Sequence, residues 1–199
     1  MVRGFSAARG HCHDGGVSTP SADVSVRVAW ADDAEAIAAV QARAWATSYA
    51  ALVPAAGELR EADFVQLWRD ALTHPADARH RALVALERNR IVGFAITTPA
   101  TDPDCDPVTD GELMELTVDA GERGKGHGSR LLQAAADTLA SDRFTRGVTW
   151  VLADDDVTRS FLTEAGWAAD TAHRTLDLDG TGAVQVKQVR LHTALGEPT

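Results

Sequence analysis

The sequence predicts a mixed α/β or α+β fold in which helices cover both faces of one central sheet. The main observation is the order of the predicted elements, which is strand, two helices, three strands, helix, strand, helix and two strands. Two pairs of adjacent strand-like segments are joined by short turns, which is typical of antiparallel hairpins. The length of 199 residues fits one domain that buries enough surface to fold without a disulfide or a metal.

The N-terminal third contains a strand and two amphipathic helices. Valines alternate with polar residues over 24–28, which predicts a half-buried strand. Asp32 or Asp33 is predicted to cap a helix that runs to about Tyr49, and a second helix is predicted over 61–72. The residues predicted to face the core are Ile37, Val40, Ala44 and Trp45 in the first helix and Phe64, Leu67, Trp68 and Leu72 in the second.

The central third begins with a predicted hairpin, because two apolar runs over 82–86 and 91–97 flank a polar turn. Residues 99–111 include three prolines and four aspartates, so a solvated loop is expected there. A strand over 113–118 then leads into a helix over 126–139. The predicted core residues of this helix are Leu131, Leu132, Ala135 and Leu139.

The C-terminal third completes the predicted sheet. A strand over 148–152 is followed by a short helix over 158–165, which Gly166 ends. Two further strands over 167–178 and 184–191 are joined by a glycine-containing turn and form the last hairpin.

The first 22 residues are rich in Gly, Ser, Ala and His and have no apolar periodicity. We predict a disordered tail over 1–22 and a single domain over 23–195. The adjacent residues His11, Cys12, His13 and Asp14 include metal-ligand types, but ordering them costs backbone entropy. We therefore expect no functional metal.

The formal net charge of −10 comes from 29 acidic and 19 basic side chains. Such a surface repels nucleic acids and anionic membranes, so neither is expected as a partner. It favours a cationic small molecule or a basic peptide, or it serves solubility alone. No apolar run is long enough to span a bilayer, and the two cysteines form no disulfide framework. These features predict a cytoplasmic protein.

The most informative segment is a glycine-rich turn between a predicted strand and a predicted helix. Four glycines follow Val118 within eight residues, 121–128, and Arg123 and Lys125 lie among them. Glycines allow close backbone approach to a ligand, and the free N–H groups of a helix start favour phosphate. The spacing fits neither a P-loop nor a dinucleotide-binding fingerprint. A glycine-rich turn that binds no ligand remains an alternative.

These residues resemble a known family. Arg123, Gly126 and Gly128 are similar to the Gln/Arg-x-x-Gly-x-Gly/Ala signature of GCN5-related N-acetyltransferases (GNAT), and residues 112–118 resemble the fourth strand of that family. The resemblance covers about residues 24–192. Two further matches are Trp45, Tyr49, Leu52 and Pro54, which fit the pattern Trp-x-x-x-Tyr-x-x-Leu-x-Pro, and 161–167, which resembles Phe-Tyr-x-x-x-Gly-Phe.

The resemblance implies the GNAT fold, with a mostly antiparallel sheet, and transfer of an acetyl group from acetyl-CoA to a primary amine. The backbone amides of 124–129 would cradle the pyrophosphate, and the edge of strand 116–118 would bind the pantetheine arm. The Val118 N–H would polarise the thioester carbonyl and so act in catalysis. The implied cofactor-binding residues are Leu116, Thr117, Val118, Arg123, Gly124, Lys125, Gly126, His127, Gly128, Ser129, Asp155 and Phe161.

The reaction needs a neutral amine, so a base is required. Glu112 is the first candidate, because it matches a strand position where some family members carry a catalytic glutamate. Strict alternation puts Glu112 on the same face as Leu116 and Val118 and puts Glu115 on the opposite face. The alternative is that Glu112 only begins a strand and faces water. The resemblance places Trp45, Tyr49 and Glu115 at the acceptor pocket, although Trp45 also fits core packing.

Two residues depart from the family pattern. Leu162 stands where many members carry a tyrosine that protonates the thiolate of coenzyme A, so water or Ser160 would have to replace it. Asp155 stands where an asparagine often contacts the cofactor. Direct attack in a ternary complex is the expected mechanism. The alternative is a weakly active or inactive acyl-CoA sensor of the same fold, and the protein is expected to be a monomer or a homodimer.

Overall fold

The computed structural model describes residues 24–48, 61–178 and 180–196. The predictions for the tail over 1–22 and for Tyr49, Leu52 and Pro54 lie outside these residues. The helices are α1 (Ala34–Ser48), α2 (Glu61–Thr73), α3 (His127–Ser141) and α4 (Asp156–Glu164). The strands are β1 (Val24–Val28), β2 (Arg81–Glu87), β3 (Arg90–Pro99), β4 (Asp110–Val118), β5 (Arg146–Leu152), β6 (Ala168–Asp177) and β7 (Gln185–Ala194). The predicted order of elements is confirmed.

All seven strands form one sheet in the order β1-β2-β3-β4-β5-β7-β6. Neighbouring strands are antiparallel except for β4 and β5, which are parallel. The parallel pair requires a crossover connection, and α3 supplies it. The predicted mostly antiparallel sheet is therefore confirmed.

The helices cover both faces of this sheet. Phe94 packs with Ile37 of α1 and Trp68 of α2, whereas its neighbour Ala95 packs with Leu131 of α3. Because successive residues of a strand point to opposite faces, α1 and α2 lie on one face and α3 on the other. All four core residues predicted for α3 are buried. We call these the α1 face and the α3 face.

Two predictions about the N-terminal helices need correction. Leu67 is 66% exposed, because Phe64 and Trp68, one turn apart, form the buried side of α2. Neither Asp32 nor Asp33 caps α1 directly, because a 3-10 turn over Ala31–Asp33 precedes the helix. The Asp33 carboxylate accepts a hydrogen bond from the Trp30 N–H at 2.7 Å and pairs with Arg27.

The described helices include none that is both long and apolar enough to cross a membrane.

Candidate functional site

The sheet opens between its two parallel strands. The pairing of β4 with β5 extends only from Asp110 to Glu112 on the β4 side. Beyond it, the Thr149 hydroxyl donates to the Leu113 carbonyl at 2.8 Å and thus replaces a ladder hydrogen bond. The remainder of the β4 edge has no β5 partner within the described part of the chain. The result is a gap between the strands, open toward the end of β4.

Backbone groups of β4 point into this gap. The Asp119 N–H donates to the Val92 carbonyl at 2.9 Å, so the backbone N–H of Asp119 points toward β3. Backbone direction alternates along a strand, and the register from Leu116 to Val118 is regular. Leu116 and Val118 therefore present their N–H and C=O groups to the gap. The backbone of Thr117 instead faces β3, which differs from its predicted contact with the cofactor.

The glycine-rich turn joins β4 to α3 at the open end of the gap. Gly124 and Gly126 have φ angles of 76° and 82°, a left-handed conformation that favours glycine. No side chain caps the start of α3, and its first turn contains no acidic residue. The N–H groups of this turn are therefore available to an anion, and the helix dipole adds positive potential.

Basic side chains surround the turn. The Nε of Arg123 donates to the Val118 carbonyl at 3.3 Å, which ties the turn to the edge of the gap. Arg130 donates to the Lys125 carbonyl at 3.3 Å. The ammonium of Lys125 lies 2.5 Å from the Glu122 carboxylate. The charge of Lys125 is therefore paired with a carboxylate of the same chain.

A groove of about 410 Å³ runs between α3 and α4. Ser129 and Leu132 line one wall, and Phe161 and Trp167 line the other. A Cβ on Gly128 would lie 3.6 Å from the Phe161 ring, in ordinary van der Waals contact, so a longer side chain at this position would extend beside Phe161. Phe161 and Ser129 thus lie beside the glycine-rich turn, and their predicted contact with the cofactor stays a prediction.

The two departures from the family pattern have structural roles. Leu162 is buried in the core of the α3 face, so its position supplies no acid to the gap. Asp155 is the N-cap of α4, and its two carboxylate oxygens accept hydrogen bonds from the N–H and the hydroxyl of Thr158 at 3.0 and 2.6 Å. Both oxygens of Asp155 are therefore occupied by the helix start.

A β-bulge changes which residues share a face of β4. Glu112 pairs with Thr98 and Leu113 with Thr97, but Ile96 pairs with Glu115, so Met114 is the extra residue. Paired residues point to the same face, which puts Glu112 and Glu115 together on the α1 face. The prediction that alternation separates the two glutamates, and groups Glu112 with Leu116 and Val118, is wrong for this reason.

Glu115 lies beneath α1. It accepts a hydrogen bond from the Thr117 hydroxyl at 3.0 Å and another from the side chain of Trp45. Burial raises the pKa of Glu115, while these two hydrogen bonds lower it. Trp45 and Glu115, both predicted at the acceptor pocket, are therefore in contact.

Glu112 lies at the entrance to the gap, where β4 and β5 separate. Burial raises the pKa of Glu112, and the charge of Asp102 raises it further, whereas Arg174 and Arg190 lower it. The Arg174 guanidinium stacks over the Trp150 ring at 4.2 Å. A carboxyl group with a raised pKa beside a cleft is typical of a general base.

Sequence reasoning missed Arg174 and Trp150, the neighbours that β6 and β5 bring to this end of β4. Trp150 is a partly buried aromatic residue in a short strand, a pattern shared with ordinary core residues. Arg174 has no distinctive neighbours in sequence. Only the strand order, which places β7 between β5 and β6, brings them together.

The aspartates of the loop before β4 pair with protein groups instead of remaining free. Arg190 is 3% exposed and contacts Asp102, Asp104 and Asp170. Its hydrogen bonds to Asp104 lower the pKa of that carboxyl to about 2. Asp110 pairs with Arg146, and Asp106 accepts a hydrogen bond from the Val108 N–H. Three of the four loop aspartates, Asp102, Asp104 and Asp110, are therefore paired with arginines of the same chain.

His127 is the first residue of α3, and its side chain is 1% exposed. Its Nε2 lies 3.3 Å from the Glu87 carboxylate, away from the glycine-rich turn's open surface. Only the backbone of His127 is therefore placed for the predicted contact with a phosphate.

A family model agrees with the fold. Residues 30–167 match the model of the acetyltransferase (GNAT) family, so the chain belongs to that family. No curated protein matches the sequence at a significant level.

Solved structures show the same fold. An N-acetyltransferase from Staphylococcus aureus Mu50 superposes with a TM-score of 0.67 at 18% identity and covers 87% of this chain and 99% of its own. The yncA protein of Salmonella typhimurium, determined with its cofactor acetyl-CoA, has a TM-score of 0.67 at 16% identity over 88% and 95% of the two chains. A ribosomal-protein-alanine N-acetyltransferase from Brucella melitensis has a TM-score of 0.66 at 16% identity over 85% and 99%.

Proposed function

We propose that the protein is an acetyl-CoA-dependent N-acetyltransferase that acetylates a primary amine, with a cationic acceptor as the expected class. The observation that carries the proposal is the direction of the β4 backbone. Leu116 and Val118 aim hydrogen-bonding groups into the gap, directly beside the uncapped start of α3. A thioester on a phosphate-bearing arm matches this combination of an anion site and an open strand edge.

Acetyl-CoA binding in this proposal uses mainly the backbone. The N–H groups of 124–129 bind the pyrophosphate, and the pantetheine arm extends along β4 like an added strand. The Val118 N–H then donates to the thioester carbonyl and stabilises the negative charge that develops on its oxygen. Phe161 and Ser129 contact the cofactor from the groove between α3 and α4.

The acceptor binds from the α1 face in this proposal. Glu112 takes a proton from the ammonium, and the free amine attacks the thioester carbon. The C–S bond then breaks, the nitrogen of the new amide loses its extra proton to solvent, and the leaving thiolate takes a proton from water or Ser160. Glu112 suits the base because burial raises its pKa toward neutrality. Glu115 suits acceptor binding, because its hydrogen bonds from Thr117 and Trp45 hold an oriented carboxylate.

A second candidate function is an acyl-CoA sensor with little or no catalysis. Leu162 is buried in the core and Asp155 is occupied as a cap, so neither performs the role that the family pattern gives to its position. Release of free thiol from acetyl-CoA in the presence of a panel of amines separates the two functions. An enzyme releases thiol with at least one amine, whereas a sensor binds acetyl-CoA and releases none.

The first test is the thermal stability of the protein with and without acetyl-CoA, beside the variant Gly128→Glu. Gly128 lies within α3, so the new side chain causes no backbone strain and places a carboxylate at the groove. Acetyl-CoA at 100 times its dissociation constant should stabilise the wild type by about 2.7 kcal/mol and should not stabilise the variant.

The matched control is Gly121→Glu, which adds the same charge where a Cβ meets nothing within 4 Å. This variant should keep most of the stabilisation by acetyl-CoA. If the wild type shows no stabilisation, or if Gly128→Glu retains it, acetyl-CoA does not bind at the glycine-rich turn.

A further inference from the structure

Two carboxylates and a histidine converge beneath the glycine-rich turn. Glu87 ends β2, Glu122 lies near the start of the turn, and His127 begins α3. One ligand-type atom from each of the three side chains lies within 4.8 Å of the others. The distance from the Glu87 carboxylate to the His127 Nε2 is 3.3 Å. Two ligands of one tetrahedral zinc ion, each about 2.0–2.1 Å from the metal, are separated by about this distance.

The buried histidine supports a ligand at this cluster independently of the carboxylates. His127 is 1% exposed, and neither of its ring nitrogens has a hydrogen-bond partner among the described residues. One oxygen of Glu87 is also buried without a partner there. Buried polar atoms are normally hydrogen-bonded, so the Nε2 of His127 and the oxygen of Glu87, which lie 3.3 Å apart without hydrogen-bonding each other, point to a missing partner between them.

Exposed cations currently neutralise the carboxylates. Glu122 binds Lys125 and Arg90, each at 2.5 Å, and Lys125 lies 3.9 Å from Glu87. The side chains of Lys125 and Arg90 are 50% and 56% exposed. Because the side chain of Lys125 is half exposed, it can turn into solvent when a doubly charged ion takes its place beside Glu122.

We propose that Glu87, Glu122 and the imidazole of His127 bind a divalent transition-metal ion, with Zn²⁺ as the representative. One nitrogen and two carboxylate oxygens suit Zn²⁺, whereas Mg²⁺ and Ca²⁺ favour ligand sets made of oxygen alone. The ion joins the end of β2 to the start of α3 and gives a partner to the buried oxygen of Glu87 and to one ring nitrogen of His127. The site is separate from the proposed chemistry, because it lies under the glycine-rich turn and away from Glu112.

The test is titration calorimetry of the full chain with ZnCl₂. The background is a variant in which His11, Cys12 and His13 are replaced by Ala, Ser and Ala, so that the N-terminal segment cannot bind the ion. We expect one Zn²⁺ per chain in this background. Glu87→Gln and His127→Gln should each weaken binding more than about tenfold, since even a residue that only orients a ligand costs 10- to 100-fold.

Two further variants sharpen the test. His173→Gln changes an exposed strand histidine outside the cluster and should leave the affinity unchanged. Lys125→Gln removes the competing cation and should strengthen zinc binding, a change that a purely structural role of the cluster would not produce. If His127→Gln fails to fold, the zinc affinity of Glu87→Gln decides the test. The side chain of Glu87 is only partly buried, so its replacement should leave the fold intact.

The proposal is overturned if the background variant does not bind Zn²⁺, or if it binds Zn²⁺ and Glu87→Gln retains the full affinity. None of these measurements uses acetyl-CoA, so their outcome is independent of the proposed acetyltransferase function.

Discussion

The two faces of the sheet at β4 differ in the groups that build them. On the α3 face and at the strand edge, the candidate cofactor site consists mainly of backbone groups, held by glycines at 124 and 126 and by the uncapped start of α3. On the α1 face, the candidate acceptor site consists of side chains, above all Glu112, Glu115 and Trp45. A site built from backbone groups keeps its hydrogen-bonding groups when side chains are substituted, whereas a site built from side chains loses a group with each substitution.

This difference teaches where specificity resides. In the proposed function, backbone N–H groups recognise the phosphate and the thioester. Acceptor recognition would instead depend on two carboxylates whose pKa values are raised by burial. Substitutions on the two faces should therefore have separable effects on cofactor binding and on turnover.

The largest expected effect is that of Glu112→Gln on turnover. Removing a general base typically costs 10²- to 10⁴-fold in rate, so kcat should fall by about that factor. Stabilisation by acetyl-CoA should stay as in the wild type, because Glu112 is not part of the cofactor site. Steady-state kinetics with an accepted amine and thermal unfolding with acetyl-CoA measure the two effects.

Glu115→Gln is the matched comparison on the same face of β4. It should mainly raise KM for the amine, by about tenfold, because a charged hydrogen bond to the acceptor is lost. If Glu115→Gln lowers kcat more than Glu112→Gln does, the roles of the two glutamates are reversed.

The next effect concerns the ion-pair network beside the acceptor site. Arg190→Met removes the buried cation that Asp102 and Asp170 share, while Asp170 keeps Arg146 and Asp102 keeps Arg174, so the loss should be about 1–3 kcal/mol. The free energy of unfolding in urea should fall by about this amount. Arg159→Met, which breaks the exposed pair with Asp156, should change it by less than about 0.5 kcal/mol. Equal effects of the two substitutions would show that the Arg190 network does not stabilise the fold.

The smallest effect is a pH-dependent gain in stability in Glu112→Gln. Burial raises the pKa of Glu112 in the folded state, so its ionised form is disfavoured by folding. The penalty is absent below the ordinary pKa of a glutamate and complete above the raised value. The variant should therefore be more stable than the wild type at pH 7, and the difference should shrink as the pH falls toward 4. A difference independent of pH would contradict a raised pKa at Glu112.

Local features were predictable from the sequence with good accuracy. The hairpin predicted over 82–86 and 91–97 is observed as Arg81–Glu87 and Arg90–Pro99, and α3 begins one residue after its predicted start. Hydrophobic periodicity and turn residues depend on only a few neighbouring positions, so a short segment of sequence is enough to recognise them. The glycine-rich turn was identifiable for the same reason.

The face of the sheet on which Glu112 and Glu115 lie was not predictable from local sequence. The bulge at Met114 depends on how β3 pairs with β4. The alternation of residues along β4 alone gives no information about this pairing. The exposure of Leu67 likewise depends on how α2 lies against α1 and the sheet.

The sequence by itself determined the order of the elements, the family resemblance and the position of the glycine-rich turn, because these depend on neighbouring residues. Only the tertiary structure decided that Glu112 and Glu115 share a face, that Arg190 binds three aspartates, and that His127 is buried beside Glu87. These arrangements join residues from distant parts of the chain, and strand pairing and core packing bring them together. For that reason the candidate cofactor site was visible in the sequence, whereas the surroundings of the candidate acceptor site required the fold.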